Sequence, residues 1–322
     1  MASTIQKKKN RKKNLMYLLF LLPGLLYLLI NNYIPMFGVF IAFKNIDYVK
    51  GIFKSDWIGL QNFRFLFKTK DALIMTRNTL LYNVAFIVLG TIFAIFIAIL
   101  LCELGERISA RLFQSALILP YLLSWVIISY IVFAFLSSDN GYINKAILEA
   151  AGKDGINWYG TPFYWVIILV LVYLWKSMGY QSIVYMSNIA GIDSSIKEAA
   201  RIDGANKLQE IRYIILPLLK PTVIIMVLMA IGRIFYSDFG LFFQVPMDSG
   251  ALYPATQTVD TYVYRGLMKL NDIIIPIDSR VLPRIIIGMA SAAGLYQSVV
   301  GFILVLLSNL AVRRIDPDNA LF

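Results

Sequence analysis

Uninterrupted apolar blocks recur along the chain: Leu15 to Ile34, Leu80 to Leu101, Phe113 to Leu136, Phe163 to Tyr180, Thr222 to about Phe243, and Ile285 to Val312. Each is close to the ~20 residues that a helix needs to cross the hydrocarbon core of a bilayer. Blocks of this length predict spanning helices rather than the core of a soluble domain. The expected fold class is therefore all-α, a polytopic membrane protein with six transmembrane helices. An even number returns the C-terminus to its starting side. KKKNRKK (Lys7 to Lys13) precedes the first block, and Arg313 and Arg314 follow the last. Both termini are expected in the cytoplasm on this basis. The first block exceeds the ~7 to 15 residues of a signal-peptide core and is followed by Asn31, Asn32, Tyr33 and Pro35, with no small-residue cleavage site, so it reads as a retained helix. The organisation expected is a basic tail over 1–14, a first helix and outer segment over 15–79, a membrane-spanning core over 80–312 containing a polar segment at 191–217, and a second tail over 313–322.

Composition supports the membrane reading. Hydrophobic residues make up 59% of the 322 positions and aromatic residues 14%, and the mean hydropathy is +0.69. The formal charge of +11 comes from Lys and Arg beside apolar blocks, a placement that suits anionic lipid and not nucleic acid. There is no histidine, and Cys102 is the single cysteine. No phosphate-binding G-x-x-x-x-G-K-[ST] loop and no nucleophile-elbow G-x-S-x-G occurs. The chain is expected to hold no metal and no cofactor of its own, and whatever energy drives it is bound elsewhere. Trp57, Phe63, Phe65 and Phe67 lie in the outer segment from Lys44 to Arg77, which predicts packing on the membrane surface or on other outer loops. Pro35, Pro120, Pro162, Pro217 and Pro221 fall where helices start, kink or stop.

The least apolar internal stretch is GIDSSIKEAARIDGANKLQEIRYIILP, Gly191 to Pro217. It reads as two short helices on the cytoplasmic side. Ser195 and Glu198 are spaced as a capping box, Ile196, Ala199 and Ala200 form a small apolar face, and Gly204 sits where the first helix should end. Asn206 and Gln209 have the same capping spacing for the second, which leads through Ile211 and Ile214 into a break at Leu216 and Pro217.

This segment resembles the signature of the membrane subunits of type I ATP-binding-cassette importers: E-A-A, three residues, G, nine residues, I, one residue, L-P. Glu198, Ala199, Ala200, Gly204, Ile214, Leu216 and Pro217 stand at those places, with Asp203 ahead of the glycine. The resemblance implies a coupling helix, within Ile196 to Tyr213, that docks into a cleft on an ATPase subunit. Small alanines permit close approach, a carboxylate can pair with a basic residue across the interface, and glycine permits a tight turn. DWIGLQNFRFLF (Asp56 to Phe67) is similar to an outer-loop pattern of sugar-importing permeases. GRIFYSDFGLFFQVP (Gly232 to Pro246) and AAGLYQSVVGF (Ala292 to Phe302) resemble the Gram-positive, lipoprotein-linked subgroup for oligosaccharides and polysaccharide fragments. What the resemblance implies is a non-catalytic subunit of a bacterial plasma membrane. Its partners would be a second, similar permease, two ATPase subunits that hold ATP and Mg, an extracellular solute-binding lipoprotein and a saccharide.

Arg233 falls inside the fifth block, near the bilayer midplane, where a charge needs a partner or a water-filled cavity. Asp238 is five residues on, a spacing that is not that of an ideal helical pair and leaves each able to face another helix instead. Trp125, Tyr130, Tyr236 and Gln297 complete the candidate sugar path, since rings stack on pyranose faces while amides and hydroxyls bond their edges; membrane aromatics also serve as packing or interface anchors. Ala290, Gly294 and Ser298 recur every four residues as a stripe that admits another helix. An ion-gradient-driven transporter is the alternative reading, and it needs intramembrane acidic sites that are scarce here. A membrane enzyme needs a catalytic cluster that the sequence lacks.

Overall fold

The computed structural model describes residues 16–47, 50–105, 108–272, 281–315 and 317. The basic tail expected at 1–14 and the end of the tail at 313–322 lie outside the described residues. Two compact units divide the chain, one formed by residues up to Phe65 with Leu267–Leu295, the other by Leu66–Gly266 with the residues from Tyr296 onward.

In the first unit, helix α1 (Met16–Phe43) is apolar around its whole circumference and almost entirely unburied, as befits a helix solvated by lipid or by another membrane helix. It runs past Pro35 instead of ending near Ile34. A π turn at Leu29–Tyr33 precedes the proline, which then sits in the first turn of the next helical piece, where its missing N–H leaves no carbonyl orphaned. The outer segment then forms a short hairpin of β1 (Lys44–Asn45) and β2 (Asp56–Trp57), pairing Lys44 with Trp57 and Asn45 with Asp56. This pair corrects the all-α expectation locally. Asn62 clips it in place, its amide donating to the carbonyls of Ala42 and Lys44 at 2.9 and 3.0 Å. Gly59 takes a positive φ of 59° between them. The W-x-G-L-x-N-F stretch thus acts as a structural reversal of the chain.

The second unit contains α2 (Lys70–Leu104), α3 (Ile108–Leu122), α4 (Trp125–Leu136), α5 (Pro162–Ala190), α6 (Ser194–Ile202), α7 (Lys207–Ile231), α8 (Val259–Asp272, entering the first unit at its end) and the second half of α9 (Val281–Ile315). Five helices among the described residues are long and apolar enough to span a membrane, or six if α3 and α4 count as one. The block Phe113 to Leu136 is not one straight helix: α3 and α4 meet at 99°. Pro120 lies in the last turn of α3, and Ser124 caps α4 by accepting the Ile127 N–H. The carbonyls left open at the bend receive Lys176 Nζ, which donates to Pro120 at 3.2 Å, Tyr121 at 3.0 Å and Leu123.

The fifth block is also redrawn. Its helix, α7, starts at Lys207 and ends at Ile231, so no break separates the second short helix from the span. A π turn at Ile211–Ile215 widens the helix just ahead of Pro217, which accommodates the missing N–H and the ring without breaking the helix. Residues 232–235 form turns and 236–238 are non-helical.

Helix α5 packs along α2 through two apolar clusters. Toward one end, Tyr82 and Phe86 meet Trp165, Leu169, Ile128 and Phe242; toward the other, Ala94, Ala98 and Ile99 meet Tyr185, Ile189, Ile215 and Leu219. Gly179 brings α5 against the backbone of α3, since a Cβ there would collide with the carbonyl of Leu117. We expect Gly179→Ala to cost about 2 kcal/mol, because neither backbone can retreat, and to lower the thermal midpoint of the protein in detergent. The close approach of α9 to another helix is made by Gly301, where a Cβ would lie 2.9 Å from the Gly232 carbonyl; at Gly294, in the expected stripe, a Cβ would meet nothing within 4 Å.

Candidate functional site

Two regions of the second unit carry chemistry. The first is the segment after α5. Helix α6 begins two residues earlier than the Ser195–Glu198 capping box would place it, because Asp193 is the N-cap and its carboxylate accepts the Ser195 N–H at 2.9 Å. That N–H and the Ser195 side chain hold the Asp193 carboxyl below its ordinary range. The helix closes with Gly204 at φ 85°. Ala205 N–H reaches the Ala200 carbonyl at 2.9 Å, and Gly204 N–H reaches that of Arg201 at 3.1 Å. This is a Schellman closure, which requires a left-handed residue where the glycine stands. Asn206 and Gln209 then form the reciprocal capping box expected of them.

No residue of α6 is buried. Glu198, Ala199 and Asp203 are exposed, Ala200 is half-buried, and two large apolar side chains face outward, Ile202 at 86% and Leu208 at 74% exposure. Ile214 is half-buried in the π turn of α7, and Leu216 and Pro217 follow it on an exposed face. The motif is therefore split: its E-A-A and D-G residues share α6 and its closing turn, whereas its I-x-L-P residues form the root of the next span.

The second region is a cavity of about 540 Å³ between α2, α5, α7 and the non-helical strip beyond α7, within the roughly 300–1,000 Å³ of small-molecule sites. Arg233, Tyr236 and Asp238 line it. Arg233 sits in the turn beyond the end of α7, not inside a helix, where its backbone bonds Ala230 and Tyr236, and its guanidinium has no hydrogen bond or ion pair among the described residues. Asp238 is not its partner. One Asp238 oxygen accepts Trp125 Nε1 at 3.1 Å, and the other caps the turn at Gly240 and Leu241 at 3.0 and 3.3 Å. Trp125 lies on Gly240, at which any Cβ would overlap its ring, so it fastens the bend of α4 to this strip. Tyr236 bonds Ser298 at 2.8 Å.

Trp125, Tyr130 and Gln297 are not among the residues that line the cavity. Tyr130 points outward from α4 at 65% exposure. Gln297 is buried, its Nε2 donating to the Phe235 carbonyl at 2.6 Å and lying 3.3 Å from the Asp260 carboxylate, which fixes the turn that carries Arg233. Conversely, the cavity wall includes Asn83, Thr91, Tyr173 and Gln181, which the sequence reading passed over. Asn83 Nδ2 donates to the carbonyls of Ile234 and Tyr236 at 2.9 and 3.0 Å, and the rings of Tyr173 and Phe86 stack at 3.8 Å. Their signal was available as isolated polar residues in or beside otherwise apolar blocks, as was Lys176 in the fourth block.

These two features sit in a chain with clear relatives. Protein LplB of Bacillus subtilis (strain 168) is 31% identical over 305 residues, 94% of this chain and 90% of its own length. The polygalacturonan/rhamnogalacturonan transport system permease protein YteP of the same organism is 28% identical over 324 residues, 98% and 96% of the two chains. A bacterial transporter for import of the acidic polysaccharide alginate contains a chain that matches at a TM-score of 0.81 and 28% identity, covering 97% of this chain and 99% of that one. A crystal structure of the bacterial alginate transporter in complex with its alginate pentasaccharide-bound periplasmic protein matches at 0.80 and 28%, covering 95% and 97%. Residues 87–317 match the family of binding-protein-dependent transport system inner membrane components. With a multi-pass helical architecture, an exposed post-α5 helix and a cavity between its spans lined in part by polar side chains, the chain belongs to that family.

Proposed function

We propose that the protein is one of two permease subunits of an ATP-driven importer for oligosaccharides that carry carboxylates. It crosses a bacterial plasma membrane six times, counting α3 and α4 as one bent span, with both termini in the cytoplasm. It pairs with a second, similar permease and receives its substrate from an external solute-binding protein. Two ATPase subunits hold the ATP and Mg. The observation that carries this reading is α6, a short unburied helix displaying Glu198, Ala199, Asp203 and the outward Ile202, closed rigidly by Gly204. Docked in a cleft of the ATPase, it is the point at which nucleotide-driven closure would pull on the membrane helices.

The substrate class is supported by Arg233, a guanidinium beside a polar cavity without a counter-ion among the described residues. An uncompensated cation beside spanning helices suits an anionic guest. Tyr236 and Tyr173 offer ring faces, and Asn83 and Gln181 offer amides, as sugar binding requires. The relative named for polygalacturonan and the alginate importer both handle uronate polymers, which accords with that charge. The test is purification of the tagged chain from its native membrane. The expected result is an ATPase and a second permease in the same complex, with hydrolysis stimulated by a uronate oligosaccharide on its binding protein. A chain that purifies with neither partner contradicts the proposal.

A further inference from the structure

A helix that transmits force needs a stiff attachment, and α6 has little apolar anchorage, since none of its nine residues is buried. A helix this short does not hold itself in water. Lys197 Nζ makes one long tie, 3.4 Å to the Ile189 carbonyl at the end of α5, and the rest of the side-chain attachment of α6 is a chain of four charges. Arg201, in the last turn of α6, places Nε 3.5 Å from Glu210 Oε2. The same oxygen accepts Lys207 Nζ at 3.0 Å, and Lys207 Nζ also lies 2.8 Å from Glu103 Oε1. Glu103 belongs to the last turn of α2, the helix that supplies Asn83, Phe86, Ile87 and Thr91 to the cavity.

Exposure is uneven along this chain. The Glu210 side chain is 3% exposed, against 60% for Arg201, 41% for Lys207 and 37% for Glu103. A buried carboxylate is strongly destabilised when stripped of its partners, so Glu210 and both its cations are constrained to move together. Two cations and two anions also balance within the group. It has no need of a counter-charge from a docked protein, unlike exposed Glu198, and this separates it from the docking surface.

We propose that Arg201, Glu210, Lys207 and Glu103 form a charged joint that passes a displacement of α6 into the end of α2, so that the cavity wall moves with the docked helix. Glu103 and Lys207 are positioning residues in this scheme; they touch neither the ATPase nor the sugar. The joint rests on the importer reading above, because it has a task only if an ATPase pulls on α6.

The test is the complete reconstituted transporter with Glu103→Gln, which keeps the shape of the side chain and removes its charge. The measured quantity is sugar transported per ATP hydrolysed. We expect this ratio to fall about fivefold, at the low end of measured site-to-site couplings, while the ATPase still co-purifies in full. Glu103→Asp, which retains the charge, should recover most of the ratio. A role limited to folding would lower the yield of complex and both rates in proportion, leaving the ratio unchanged, and that result overturns the joint. Failure of the unaltered complex to couple uptake to ATP would instead remove the importer reading, and the joint with it.

Discussion

Replacing Glu198 by lysine and Gly204 by proline together is expected to release the ATPase from the purified transporter while leaving the two permeases paired. The lysine reverses an exposed charge at the centre of α6, the proposed docking helix, and charge changes at a desolvated interface cost roughly 2–5 kcal/mol. The proline cannot adopt the φ of 85° found at Gly204, and it removes the N–H that closes the turn on the Arg201 carbonyl. Together these predict at least about a hundredfold weaker association. Neither site touches the apolar clusters that join α2, α5 and α7, so size-exclusion chromatography should still show an intact membrane heterodimer. ATPase retained at the unaltered level would place the docking surface elsewhere.

Arg233→Glu carries the second large effect. With no counter-ion among the described residues, Arg233 is free to meet a substrate carboxylate, and a hydrogen-bonded charge of this kind is worth about 1.5–3 kcal/mol. Uptake of a uronate oligosaccharide at limiting concentration should drop roughly ten- to a hundredfold, while that of a neutral oligosaccharide of equal length changes little. An equal fall for both would assign Arg233 to the architecture of the turn that Gln297 holds and would remove the argument for acidic sugars.

Much of this was legible in the chain because membranes impose a simple rule on length and polarity. Blocks of about spanning length gave the helices, and the spacing of Glu198, Gly204 and Pro217 pointed to the segment after α5. The closing role of Gly204 and the Asn206–Gln209 capping box follow from local backbone chemistry, which sequence reports directly. The N-cap was misassigned because Asp193 and Ser195 both suit the position, and only the fold shows which one faces the free N–H groups. The bend between α3 and α4 was hidden for a different reason: it depends on Lys176, more than fifty residues away, satisfying the carbonyls that the bend exposes. Arg233 was placed near mid-helix because apolar residues continue beyond Ile231, although hydropathy alone does not distinguish a helix from a packed turn. Gln297 looked like a sugar contact by residue type, and its burial against Phe235 and Asp260 is a tertiary fact.

The most direct test is uptake by proteoliposomes containing the assembled transporter, with its binding protein and a uronate oligosaccharide outside and ATP enclosed, measured with and without ionophores. The account predicts accumulation that requires both internal ATP and the binding protein and that persists when every ion gradient is collapsed. Accumulation that ignores ATP and vanishes with the gradient would contradict it and establish an ion-driven transporter instead.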